Sequence, residues 1–225
     1  DGNLFDPFNG KKDIETGQIS FIGDAEKRIK EDYLRILRYL RFFLNYSKQP
    51  HKDEVIKIIK TNINGISLIS KERLLDELKK LLKSNQLEKL SKDRISINLI
   101  LLIFPELKNL KSVIDTIKVK KKLFVELDLI FVLFLMIIDE SDNLDYFLYK
   151  YNISKKEQKR ARVISNFYNE KKESKILNEI NLNKVLYYHG KQAVLDILNF
   201  KIIKTKKADK KLLNLLELFK SKATP

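Results

Sequence analysis

EDYLRILRYLRFF, Glu31 to Phe43, is the stretch on which the reading of the fold turns. On a helical wheel of about 100° per residue, Ile29, Tyr33, Ile36, Leu37, Leu40, Phe43 and Leu44 gather on one arc. Arg28, Glu31, Asp32, Arg35 and Arg38 gather on the opposite arc. One face is suited to burial and the other to charge, which predicts an amphipathic helix running on from Asp24. Asp24 can cap it, and Glu26 suits its first turn. The chain has eight arginines, and four of them (Arg28, Arg35, Arg38, Arg41) lie in or just before this stretch.

Helical periodicity continues beyond it. Further helices are expected at about 52–62, 70–84, 86–92, 95–103, 108–116, 122–138, 142–150, 154–172, 174–179, 182–188, 190–200 and 208–221. Leu74, Leu75, Leu78, Leu81 and Leu82 form a core stripe, and Ser154 with Glu157 makes a capping box. Six glycines and four prolines leave few special turns, so the class is all-α. No repeat period stands out. Residues 1–23 differ: four of the six glycines fall here, and turns with short extended pieces are expected, QISFIG reading as a strand.

The 225 residues carry a net charge of +15, which points to a polyanion partner, nucleic acid above all. AT-rich coding also inflates lysine, but it would deplete arginine, so the arginine cluster says more than the total. With no cysteine, disulfides, thiolate metal sites and cysteine nucleophiles are excluded. This fits a reducing, cytoplasmic setting. His51 and His189 match no metal-ligand spacing and read as surface or packing residues. The most apolar run, Leu129 to Ile138, is ten residues long and bounded by Asp128 and Asp139. It is too short to cross a bilayer and reads as a buried helix, so no membrane partner is expected. The first residue is Asp and Met136 is the only Met, so the chain reads as a piece of something longer.

The charged face has two readings. Glu31 and Asp32 lie four and three residues before Arg35, so both acids can neighbour one guanidinium. That could be a surface ion-pair lattice of little energetic weight. It could also be a base-reading edge. A carboxylate only accepts hydrogen bonds and a guanidinium only donates them. Side by side they match the amino donor and ring-nitrogen acceptor of cytosine or adenine. Uracil and guanine present the opposite order and would leave groups unpaired. The planar fork of arginine suits this better than lysine.

Asp6-Pro7-Phe8, Gly10 and Asp13 resemble the linker motif of the class II tRNA nucleotidyltransferases, the family of CCA-adding enzymes and bacterial poly(A) polymerases. Phe21 to Arg28 resembles the stretch that follows in that family. Glu31-Asp32 with Arg35 and Arg38 resembles its nucleotide-selecting motif. Ser70 to Arg73 with Asp76, Glu77 and Leu78 resembles its supporting helix motif. The likeness is strong over about residues 3 to 82 and weaker through IFPEL, Ile103 to Leu107. Two positions depart from it. Asn9 stands for a common Gly, at a turn where Asn tolerates positive φ, and Ala25 stands for a common Pro.

The resemblance implies roles. Asp32 and Arg35 would pair with the base of CTP or ATP, Arg38 would hold the nucleotide, and Glu31 and Arg28 would complete the site. Asp6, Gly10 and Asp13 would link a catalytic head to the neck, and Arg73 would steady the selecting helix. The head's GxDxD carboxylates, which hold Mg²⁺, have no counterpart in this sequence. Alone, the chain is therefore expected not to catalyse.

The implied architecture is an elongated array of helical subdomains. Residues 1–23 would be the end of an α/β head with the linker, 24–92 a neck, 93–140 a body and 141–225 a basic tail. Lys155, Lys156, Lys159, Arg160, Arg162, Lys206 and Lys207 are the candidate tRNA contacts, with solvated helix faces as the alternative. Tyr187-Tyr188 reads as core packing, with base stacking as the alternative. The function implied is CTP and ATP selection and tRNA binding for CCA addition. Poly(A) polymerase stays open, as does a non-catalytic RNA-binding subunit completed by a separate head chain.

Overall fold

The computed structural model describes residues 5–169, 177–205 and 209–223. Among them the regular structure is helical, with no strand. The chain forms two compact units, Asp1–Pro105 and Glu106–Pro225.

The first unit begins with α1 (Gly10–Thr16), in a region where turns were expected. The Asp6 carboxylate starts it, accepting from the Gly10 and Lys11 N–H groups at 2.6 and 2.9 Å. Asn9 has φ 58°, the left-handed conformation that its short polar side chain tolerates. The QISFIG stretch is irregular, and a strand needs a pairing partner that the described residues do not offer. Instead Gly17 docks on the end of α3 (Arg35–Tyr46), its carbonyl accepting from Lys48 N–H at 3.1 Å.

The helix expected from Asp24 through Phe43 is two helices. The first is α2 (Ala25–Glu31), capped by Asp24, and α3 follows after a break. Asp32 sits between them with φ −153° and ψ 101°, and its carboxylate accepts from Leu34 N–H at 3.2 Å. An Asp side chain that bonds its own neighbouring backbone competes with the helix ladder and bends the chain here. Behind the break, α2 packs on α4 (Asp53–Asn62), and α3 packs on α5 (Lys71–Leu81) and α6 (Ser84–Leu90). A 3₁₀ turn over Ile63–Leu68 joins α4 to α5, and α7 (Arg94–Ile103) follows α6. Of the arc assigned to the core, Ile29, Ile36, Leu37, Leu40 and Leu44 are buried with Ile59, Leu78 and Leu81, while Tyr33 and Phe43 are half-buried. His51 lies inside. Its Nδ1 faces Tyr39 Oη at 3.0 Å and its Nε2 faces Asp93 at 2.9 Å, with Phe43 stacked on the ring.

In the second unit the expected helix 122–138 is also interrupted. It follows α8 (Leu110–Val119) as α9 (Lys121–Val125) and α10 (Leu129–Ile137), the latter capped by Asp128 through Phe131 N–H. Phe131 to Ile137 are all buried, as the apolar run predicts. Next come α11 (Asn143–Lys150) and α12 (Lys155–Asn169), where Ser154 Oγ accepts from Glu157 N–H at 3.3 Å and donates to the Glu157 carboxylate at 2.6 Å. The unit ends with α13 (Glu179–Lys204), kinked at Gly190, and α14 (Lys210–Ser221). The last two share a core centred on Leu186, Val194, Ile197, Leu198, Leu216 and Phe219. The helix expected at 174–179 falls mostly outside the described residues.

Candidate nucleotide and RNA interface

The break between α2 and α3 makes a charged corner. Arg28 and Arg35 both donate to Glu31 Oε2, at 2.7 and 2.8 Å, and Arg35 also bonds the Arg28 carbonyl at 2.9 Å. Asp32 turns the other way. Its Oδ2 accepts from Arg73 Nη2 at 3.0 Å and has Arg38 at 3.8 Å. The expectation that both acids flank Arg35 is therefore corrected: Arg35 goes to Glu31, and Asp32 to Arg38 and Arg73. The cause is the break, which takes Asp32 out of helical phase. Arg35 N–H still bonds the Asp32 carbonyl at 3.0 Å, so the two residues meet at the same corner. Arg35 is about a quarter exposed, and Arg38 and Glu31 are open to solvent.

Two supports lie behind the corner. Arg41 Nε donates to Glu77, whose side chain is 3% exposed, and this pair ties α3 to α5. Tyr33 rests on Gly65, where an added Cβ would come within 2.0 Å of the ring. The sequence put Tyr33 on the packed arc without a partner and gave Arg41 no role. Arg41 could have been found, because it and Glu77 both fall in the quoted motifs. The Tyr33–Gly65 contact has no periodic signal.

Asp6, Gly10 and Asp13 form the start of α1, as above. The backbone N–H groups of Lys11 and Gly10 hold the Asp6 carboxyl below its ordinary pKa. Asp13 Oδ2 accepts from Ser20 at 3.3 Å.

The second unit sorts the basic residues. Lys155, Lys156 and Lys159 are exposed on α12, and Arg162 is exposed beside Asp145 at 2.5 Å. Arg160 turns inward. It donates to Asp196 at 2.6 and 2.8 Å and to Asp128 at 2.6 and 3.1 Å. Burial opposes its charge, but the bonds to Asp196 and Asp128 outweigh it and raise its pKa. Arg160 is thus a clamp within the unit, a correction to its place among the RNA contacts. Lys206 and Lys207 lie outside the described residues. Tyr187 and Tyr188 are 74% and 71% exposed, which overturns core packing for that pair. The register of α13 places them opposite the buried Leu182 and Leu186.

Among the described residues, no group of three or more His, Cys, Asp or Glu could hold a metal ion. These residues therefore do not fit the Mg²⁺ that the resemblance implies. No helix among them is long and apolar enough to cross a membrane.

A family model described as "Probable RNA and SrmB- binding site of polymerase A" matches residues 52–111. The chain is 46% identical over 92 residues to human CCA tRNA nucleotidyltransferase 1, mitochondrial, covering 40% of this chain and 21% of that protein. It is 39% identical over 85 residues to the CCA-adding enzyme of Bacillus subtilis (strain 168), covering 37% and 21%. The fold is similar to the crystal structure of Bacillus stearothermophilus CCA-adding enzyme in complex with CTP. That match has a TM-score of 0.60 at 21% identity, over 96% of this chain and 52% of that one.

The described residues are all-α, and residues 52–111 match a model described as RNA-binding. Part of the chain is thus similar to the CCA-adding enzymes, and its fold is similar to that of one of them. Its aligned part spans about a fifth of the curated relatives' length (21%).

Proposed function

We propose that this chain is the neck, body and tail of a CCA-adding tRNA nucleotidyltransferase. In this reading Asp32 and Arg35 select CTP and ATP, Arg38 holds the nucleotide, and Glu31 and Arg28 orient Arg35. Arg73 fixes the Asp32 carboxylate. Asp6, Gly10 and Asp13 connect to a catalytic head that carries Mg²⁺, on this chain's longer form or on a separate chain. The exposed Lys155, Lys156, Lys159 and Arg162 meet tRNA phosphates. The observation that carries the reading is the corner itself. An oriented carboxylate and a guanidinium held by Glu31 lie at one accessible break between helices.

The test supplies the head and measures CMP and AMP addition to trimmed tRNA. Asp32→Ala with Arg35→Ala should lower the rate and erase the preference for C and A over U and G. Unchanged rate and preference would defeat the reading. The wording of the matched RNA-binding model favours poly(A) polymerase as the second reading. Addition of AMP alone in the same assay would select it.

A further inference from the structure

The charged face of α3 does not stop at Arg38. At about 100° per residue, Arg35, Arg38, Phe42 and Tyr46 share an arc of about 80°. At about 1.5 Å per residue, Phe42 and Tyr46 lie about 6 and 12 Å beyond Arg38. Phe42 is 41% exposed and Tyr46 63%, and their rings stack at 6.0 Å with 28° between planes. The Arg41 guanidinium sits 4.7 Å over Phe42, fixed from behind by Glu77. Lys89 Nζ, bonded to the Asn45 carbonyl at 2.8 Å, adds a cation at the same end.

Two aromatic rings are thus left in water on a helix face rich in cations. Purely anionic partners would satisfy the cations and waste the rings. Apolar protein would cover the rings and strand the cations. Unpaired nucleotides answer both, because each carries a π-face and a phosphate. In a duplex only the end pairs leave a face open, so paired RNA offers far less to stack.

We propose that Phe42 and Tyr46 form a stacking ledge for the unpaired bases at the 3′ end of an RNA. The ledge rests on the reading of the Asp32–Arg35 corner as the nucleotide site. The incoming base would lie at the corner and the RNA's last bases about two and three turns along from Arg35, with Arg38 toward the phosphate between them. Stacking is tolerant of base identity, so the ledge holds the end while the corner chooses what is added.

The probe is a short single-stranded RNA carrying 2-aminopurine at its 3′ end, whose fluorescence falls when the base stacks. The wild-type chain should quench it. Phe42→Leu with Tyr46→Leu should abolish quenching and weaken binding, by roughly fivefold to a hundredfold per base lost. Far-UV circular dichroism should stay unchanged, since both positions are exposed. Phe42→Tyr with Tyr46→Phe should keep quenching and affinity, and a blunt RNA duplex should compete poorly. No quenching by the wild type, an unaffected Leu variant, or equal competition by the duplex would each overturn the ledge. Asp32→Ala with Arg35→Ala should leave quenching in place. If that variant kept its nucleotide choice while the Leu variant lost RNA, the corner reading alone would fall.

Discussion

Arg160→Met should destabilise the Glu106–Pro225 unit rather than weaken RNA binding. The guanidinium on α12 forks to Asp196 on α13 and to Asp128 at the start of α10. Asp196's side chain is 2% exposed and Asp128's 48%. Removing the arginine leaves a buried carboxylate with the Gln192 amide at 2.9 Å beside it. Orphaning a buried partner costs about 3–5 kcal/mol, and the exposed Asp128 pair adds about 0–1 kcal/mol. A loss of about 4 kcal/mol follows, on the order of 10–15 °C in melting temperature. Arg160→Lys should recover only part, because an ammonium cannot fork to two carboxylates. Arg160→Met with Asp196→Leu should recover most of it by removing the buried charge.

The assay is thermal unfolding with hydrogen exchange read on α12 and α13, since two units need not melt together. RNA affinity is measured against salt alongside it. A variant that melts like the wild type, with a salt slope reduced by about one, would refute the argument. It would return Arg160 to the phosphate contacts.

Two further outcomes are expected in the Asp1–Pro105 unit. Gly65→Ala drives a Cβ into the Tyr33 ring at 2.0–2.2 Å and should cost about 1–3 kcal/mol. On the proposed reading CTP affinity should fall with it; Tyr33→Ala in the same chain should restore stability, and an unchanged melting temperature would contradict the contact. Asp93 is the pH test. Burial alone would raise its pKa, but the bonds from His51 and Ser96 prevail and hold it below 3.8. A carboxyl depressed on folding contributes stability in full above its unfolded value and loses it as pH falls through the folded one. The unit should therefore weaken in acid below about pH 4. Asp93→Asn should flatten that limb, and identical acid limbs would contradict the assignment.

The sequence made the helices and the core readable because burial writes a period into apolar residues. Ile36, Leu37 and Leu40 are examples, and so is the wholly buried α10. What escaped it was set by side chains bonding backbone. The wheel carried α2 straight into α3, and only the Asp32 carboxylate on Leu34 N–H breaks them. Asp128 interrupts the expected 122–138 helix by capping the start of α10 through Phe131 N–H, chemistry of a kind that an Asp before an apolar run signals. Charge alone could not separate Lys159, which faces solvent, from Arg160, which faces Asp196. That distinction depends on an acid 36 residues away. The corner residues were legible as a cluster, but their pairing was not, because pairing follows the break.

The break also has a consequence for binding entropy. An ionised carboxylate has about four lone-pair sites. In Asp32, Leu34 N–H uses one on Oδ1 and Arg73 uses one on Oδ2, which leaves about half of them free. The bonds already made hold the rotamer, so folding rather than ligand has covered the cost of immobilising it. A base arriving there would meet a pre-set acceptor and lose less affinity to ordering. Removing Arg73 should then be felt first as a slacker carboxylate and a softer choice between bases, before any loss of structure.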